Sequence, residues 1–546
     1  MRTAGFVLGV VAFTAWLPFA FAQKPSPDLI LFNGKIFTSN VNHSYVEALA
    51  IGGERIVAVG SSKEVVALAS QNTKRIDLGG RAVIPGINDA HMHLGIAPAV
   101  YDLPFKGIDP SWKEITDGLI AAASKAPKET WIVGVFGQTV LDDPQATRTA
   151  LDAIAPDHLV MLFDWTGHAS LLNTPAMGKL GVREDEPNPE GGRFVRNPSD
   201  HKLTGAALEF ANFRIQRRFT ALVGDSEAGA QLNDYLENAA RLGITSIQDM
   251  AQPIPADRCV ALFAKAPPAI RVRVIWFGLT DEHGRQPEEA HPPSENLPPL
   301  VTVSGTKWVL DGTPIEHSAS MRKAYADRPA TSGELDFSQS EMEDMLRDAL
   351  RRNDQLMVHV VGDRTLETFL DAMDVTGGES VWAQRRVRLE HADGMMPDLV
   401  TRAKKLGVVV VQNPTHLALD LQRWGAGRAE HNQPMRGLLD AGIPLAIGSD
   451  GPNNPYLNVM LASTYQGKSA EAISREQAVI AYTLTSAYAE FAEKEKGSLE
   501  PGKLADLAVL SQDIFTVPDS ELPKTESVLT IVGGKPVYDR KVLTIQ

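Results

Sequence analysis

The sequence predicts an α/β protein: a (β/α)8 TIM barrel with a small β-sandwich domain built from both chain termini and a large insertion after barrel strand 1. Three observations predict it. Both ends of the mature chain carry hairpin patterns, and between them short apolar runs alternate with longer helical patterns, the signature of parallel βα units. One segment between two such runs is too long to be a single crossover.

Composition sets the outer limits. The 546 residues hold 53 Lys+Arg against 67 Asp+Glu, a formal net charge of −14. Hydrophobic residues at 43% and charged residues at 22% match soluble globular chains and argue against overall disorder. The acidic balance argues against a nucleic-acid partner, which calls for a basic face. The one cysteine, Cys259, excludes an intrachain disulfide framework and a Cys-rich zinc module, and it reads as a small buried hydrophobe.

Residues 1–22 read as a signal peptide. Arg2 supplies the positive start, Gly5 to Phe19 the apolar stretch, and Ala20-Phe21-Ala22 the cleavage pattern, with cleavage after Ala22. The mature chain is therefore expected to be secreted or periplasmic, with no stable membrane anchor after cleavage. No other stretch approaches the ~20 apolar residues of a membrane span.

Residues 23–84 and 498–546 are expected to form the composite β-sandwich. Asn33-Gly34 between Leu29–Phe32 and Lys35–Phe37 is a hairpin signal, because Asn-Gly tolerates the positive φ of tight turns. Gly52-Gly53 and Gly533-Gly534 mark two more hairpins. The barrel is expected over 85–497. Its strands are read at Val83-Ile84 running into Ile87, Ile244–Ile247, Val272–Phe277, Thr306–Leu310, Met357–Val361, Val387–Leu389, Val408–Val411 and Leu445–Ile447. The insertion spans about 95–240 and has strand patterns of its own at Trp131–Phe136 and Leu159–Phe163.

Residues able to hold a metal gather at the C-terminal ends of these strands, where such barrels place their chemistry. Asp89-Ala90-His91-Met92-His93 follows the first. Alternate side chains of an extended segment share a face, so His91 and His93 face one ion together. Lys307 interrupts an apolar run on the fourth, the fifth delivers His359, the sixth ends in Glu390-His391, and the eighth ends in Gly448-Ser449-Asp450-Gly451. Singly each is unremarkable. Together, four histidines, a lysine and an aspartate at one mouth predict a metal site.

The ordered motifs LILFNGKIFT, GGRAVIPGINDAHMHLG, GTKWVLDG, VHVVGDRTLE, RLEHADGM, AIGSDGP and GSLEPGKLADLAVLSQDIF resemble the amidohydrolase superfamily, over nearly the whole mature chain. Within it the chain looks like the YtcJ-like amidohydrolase family 3 branch, beside N-acyl-D-amino-acid deacylases and N-substituted formamide deformylases. The resemblance implies that His91 and His93 bind one divalent ion and His359 and His391 a second. It implies that Lys307 bridges them as a CO2-derived carbamate, and that Asp450 ligates the first ion and shuttles the proton. Two zinc ions fit mixed His and carboxylate ligation best, with Mn, Fe or Co as alternatives.

The function this implies is exported, metal-dependent hydrolysis of a non-peptide C–N bond in a small-molecule amide. A deaminase or cyclic-amide hydrolase on the same scaffold is one alternative, and a non-catalytic exported metal- or solute-binding protein another. The resemblance also allows a homo-oligomer. His168 in DWTGHASLLN and His317 are candidate substrate-binding residues, and Trp165 and Trp308 candidate apolar walls. Asp249 and Asp363 read as helix N-caps in preference to supports for a ligand.

Overall fold

The computed structural model describes residues 26–546 apart from 41, 43, 106, 287–296, 419–424, 426–431 and 466–468. The predicted signal peptide, residues 1–22, lies outside the described residues. No described helix is long and apolar enough to cross a membrane.

The eight barrel strands are β1 (Ile87–Met92), β2 (Ile244–Ala251), β3 (Arg271–Phe277), β4 (Val301–Val309), β5 (Leu356–Val360), β6 (Arg388–His391), β7 (Val409–Gln412) and β8 (Leu445–Ile447). They lie in sequence order and every adjacent pair runs parallel. Strands such as Val409-Val410-Val411 are buried throughout, as expected of parallel strands covered by helices. The covering helices are locally encoded. Gln339–Arg352, for instance, starts with a Ser338/Glu341 capping box and stops at Asn353 in the left-handed region, φ 51°.

The ends of the sheet meet at the mouth. Ser449 N donates to Asp89 Oδ1 at 2.8 Å and Asp450 N donates to the His91 carbonyl at 3.0 Å. This approach requires glycine at 448, since a Cβ there would stand 2.5 Å from the His91 Cβ.

Both termini build two further sheets. One orders Thr544–Ile545, Lys74–Asp77, Leu29–Phe32, Ala48–Gly52 and Arg55–Gly60. The other orders Lys535–Asp539, Ser527–Val532, Leu507–Leu510, Ala82–Pro85, Lys35–Phe37 and Tyr45–Val46. Leu31, Ile36, Ile51, Val83, Leu507, Val509 and Ile531 share one core. The hairpins at Gly52-Gly53 and Gly533-Gly534 form as read.

Two expectations change. Leu29–Phe32 and Lys35–Phe37 are not a hairpin: they belong to different sheets, and Asn33 (φ 58°) with Gly34 carries the chain across the sandwich. A tight turn signal fixes a bend and leaves open what the flanking strands pair with. Val83-Ile84 belongs to the sandwich, where it pairs with Val509-Ala508, and the barrel starts only at Ile87. Gly86 makes the joint, because a Cβ there would lie 2.1 Å from Thr245 Oγ1.

The insertion forms a six-stranded sheet, in the order Gly192–Arg196, Leu203–Glu209, Ala169–Leu172, Leu159–Asp164, Trp131–Phe136 and Val100–Asp102. The helix Phe210–Thr220 leads back, and Asp225–Arg241 packs against the barrel and delivers the chain to β2.

Candidate active site

A cavity of about 360 Å³ opens at the C-terminal end of the barrel, lined by polar groups on its floor and aromatic groups on its sides. His91, His93, Lys307, His359, His391 and Asp450 all line it. Five strands or strand ends therefore converge on one space. His391 and Asp450 adopt positive φ (70° and 46°), backbone conformations uncommon for these residues and held here by the surrounding barrel.

The charges are organised in a dry interior. His91 Nδ1 lies 2.6 Å from Glu390 Oε2, and Arg388 Nε donates to Glu390 Oε1 at 2.7 Å, all three side chains being buried. Burial alone raises a carboxyl's pKa, but the Arg388 guanidinium and His91 hold Glu390 well below the usual carboxylate range. Glu390 therefore stays anionic and accepts from His91 Nδ1, which leaves Nε2 as the free lone pair. His93 is set the same way by the Met250 carbonyl, 2.8 Å from its Nδ1.

Asp450 is the hub. Its Oδ1 lies 3.7 Å from His91 Nε2 and 3.6 Å from His93 Nε2, and its Oδ2 lies 3.9 Å from His391 Nε2 and 3.6 Å from His416 Nε2. Burial pushes its carboxyl up to about 7, with Lys307 and His168 pulling the other way. Burial likewise lowers the Lys307 ammonium to about 8, against the pull of Glu390 and Asp450. His91, His359 and His391 are held neutral, well below the usual imidazole pKa, by burial first and by neighbouring cations second.

A divalent ion fits these residues. His91, His391 and Asp450 present ligand atoms within 4.8 Å of one another. Among the described residues, the buried His359 Nε2 has no hydrogen-bond partner, a costly state that a Lewis acid relieves. Lys307, only 1% exposed, lines the same cavity.

The amidohydrolase family model matches residues 74–538. This chain belongs to the amidohydrolase family. It is a hydrolase of carbon–nitrogen bonds. The amidohydrolase is 26% identical to an N-substituted formamide deformylase of Arthrobacter pascens, over 94% of this chain and 98% of the relative. It is 25% identical to the putative amidohydrolase YtcJ of Bacillus subtilis, over 94% and 99%. Its fold matches a solved metal-dependent hydrolase of Pyrococcus furiosus with a TM-score of 0.67 at 23% identity, over 89% of this chain and all of that one.

The insertion of this amidohydrolase supplies a wall of the cavity. The turn after Leu159–Asp164 carries Trp165, Thr166 and His168 to the mouth, and Phe163 and Phe213 stand beside them. His168 packs on His359, ring centroids 4.6 Å apart. Burial opposes its protonation, yet the Glu209 carboxylate, 2.6 Å from its Nδ1, lifts the pKa to about 9.

His317 does not line the cavity. Its Nε2 lies 3.0 Å from Asp327 Oδ2 and its ring packs on Tyr325, so the carboxylate holds it aside. Trp308 is core, packed on Phe337, whereas Trp165 is wall. Neither aspartate caps a helix with its side chain. Asp249 accepts from Leu94 N at 2.8 Å and so steadies the chain just past His93, and Asp363 accepts from Arg322 N at 2.7 Å.

Four residues had no role in the sequence reading. Glu390 and Arg388 alternate on β6, and two opposite charges sharing the inward face of a buried strand are the signal that was there to find. His416 follows β7 in Asn413-Pro414-Thr415-His416, which reads only as a turn. Glu209 carries no signal, since its contact with His168 spans 41 residues.

Proposed function

We propose that this amidohydrolase is an exported, metal-dependent enzyme that hydrolyses an N-formyl or N-acyl amide of a small molecule, with Asp450 carrying the proton. The carrying observation is a single carboxylate set within 3.9 Å of four imidazoles at the floor of an aromatic-walled cavity.

His91, His93, His359, His391 and Asp450 are the residues to hold divalent ions, zinc first. Lys307, carbamylated by CO2, is to become an anionic oxygen ligand in place of a buried cation. When bound, such ions supply an acidified water and a Lewis acid for the amide carbonyl. Asp450 takes the proton of the attacking water and returns it to the leaving nitrogen. Protonated His168 stands beside His359 as a donor to substrate oxygen. Phe163, Trp165, Phe213 and Phe277 exclude water and bind the apolar substituent.

Metal-reconstituted enzyme is to be screened against N-formyl amines, N-acyl-D-amino acids and aryl amides. The name of the Arthrobacter relative puts N-formyl amines first. Turnover of none of them sinks the substrate class. Asp450→Asn at full turnover with intact metal sinks the proton route, and activity that survives both Lys307→Ala and removal of bicarbonate sinks the carbamate. Export is tested by the N-terminus of the mature protein, expected at Gln23.

A further inference from the structure

The histidine–carboxylate pairs around the cavity fall into two kinds. His91 with Glu390 and His168 with Glu209 touch at 2.6 Å, as directly bonded groups do. The four imidazoles around Asp450 all stand off at 3.6–3.9 Å. That is too far for a hydrogen bond. It suits two ligands of one ion, since a pair of bonds of about 2.1 Å opening at a right angle or wider spans roughly 3.0–4.2 Å.

The four are also divided by oxygen. Oδ1 faces His91 and His93 from β1, and Oδ2 faces His391 from β6 and His416 from the turn Pro414–Ala418. His416 is brought there on purpose-built footing. Thr415 N donates to Asn458 Oδ1 at 3.1 Å and Thr415 Oγ1 donates to the Ser449 carbonyl at 3.2 Å, which ties the turn to the loop carrying Asp450. The His416 ring stacks on His391 with centroids 5.3 Å apart and planes 23° off parallel. Among the described residues its side chain makes no hydrogen bond that would employ Nε2 otherwise.

The geometry points to His416 as a further protein ligand of a divalent ion at this mouth, reaching it beside His391 on the Asp450 Oδ2 side and lying outside the set that the strand-end pattern supplies. This rests on the metal-dependent reading of the site.

The test uses the full chain loaded with zinc, and counts ions rather than turnover. His416→Ala and the shape-preserving His416→Gln are compared with the unsubstituted enzyme by zinc content after gel filtration against a chelator. The visible spectrum of cobalt-loaded protein is the second readout, and melting by circular dichroism identifies a variant that has failed to fold. The expected result is two ions per chain in the unsubstituted enzyme. Each folded variant keeps one, releases the other at least roughly tenfold faster, and shows altered cobalt bands. Both ions retained at unchanged release rates and spectra overturn His416 as a ligand, as does a single ion that neither substitution disturbs. An unsubstituted enzyme that binds no zinc or cobalt overturns instead the metal reading beneath it.

Discussion

His91 and Glu390 share a 2.6 Å hydrogen bond in the dry interior of the barrel, and Arg388 clamps the far side of the same carboxylate. The relationship fixes which imidazole nitrogen faces the cavity. Because Arg388 also donates to the Ala90 carbonyl at 2.6 Å, one buried cation holds both the ring and the strand that carries it.

Glu390→Gln therefore weakens the site without touching an ion. The amide leaves Arg388 buried and unpaired and no longer enforces the His91 tautomer. Metal affinity falls roughly 10–100-fold and stability by about 3–5 kcal/mol. Chelator competition reads the first and urea unfolding the second. Wild-type affinity in a folded variant refutes the positioning role.

His168 gives the metal-free protein a dependence on alkaline pH. Its folded pKa of about 9 lies above the ordinary value of 6.5. The contribution to stability is complete below pH about 6.5 and is lost as pH rises through 9. The full difference is about 3 kcal/mol. His168→Gln removes that slope, so the two melting temperatures converge between pH 7 and 10. Parallel curves over that range show that the Glu209 pair is not charged.

Gly448→Ala strikes the seam where the sheet closes. The added methyl meets the His91 Cβ at 2.5 Å, so β8 or β1 must shift. Stability drops by about 1–3 kcal/mol, and zinc retention drops with it because His91 moves. Thermal melting and metal content check this together, and an unchanged variant shows that the seam is looser than the contact implies.

Trp165→Ala tests the wall contributed by the insertion. Removing the indole raises KM for an aryl-substituted amide roughly tenfold, the effect of about 1.4 kcal/mol of lost burial, while kcat stays within about twofold. Equal KM values for aryl and methyl amides in the two proteins place the substituent elsewhere.

Much of this was legible in the sequence, for identifiable reasons. The eight strands announce themselves because buried parallel strands are apolar runs, and the HxH pair because alternation on a strand is geometric. The split of Val83-Ile84 from Ile87 was hidden, since one extended apolar run serves the sandwich up to Pro85 and the barrel after Gly86. The Asn33-Gly34 bend was visible but its partners were not, because strand pairing is a long-range choice. At the site the strand-end ligands could be read, and His168 as a candidate, but not the contacts that only the folded chain creates. His416 reaches Asp450 from a short turn, and His317 is drawn to Asp327 by a contact only the folded loop creates.

The sandwich sets an order of events for the whole molecule. Leu507–Leu510 lies between Ala82–Pro85 and Ser527–Val532, so Ala82–Pro85 has no partner on that side until more than four hundred later residues exist. Such distant pairing is slow to form and leaves an open strand edge in the meantime. The amidohydrolase thus cannot complete its outer domain while its C-terminus is still being made. Deleting the last forty residues is expected to cost far more solubility than their share of the mass suggests.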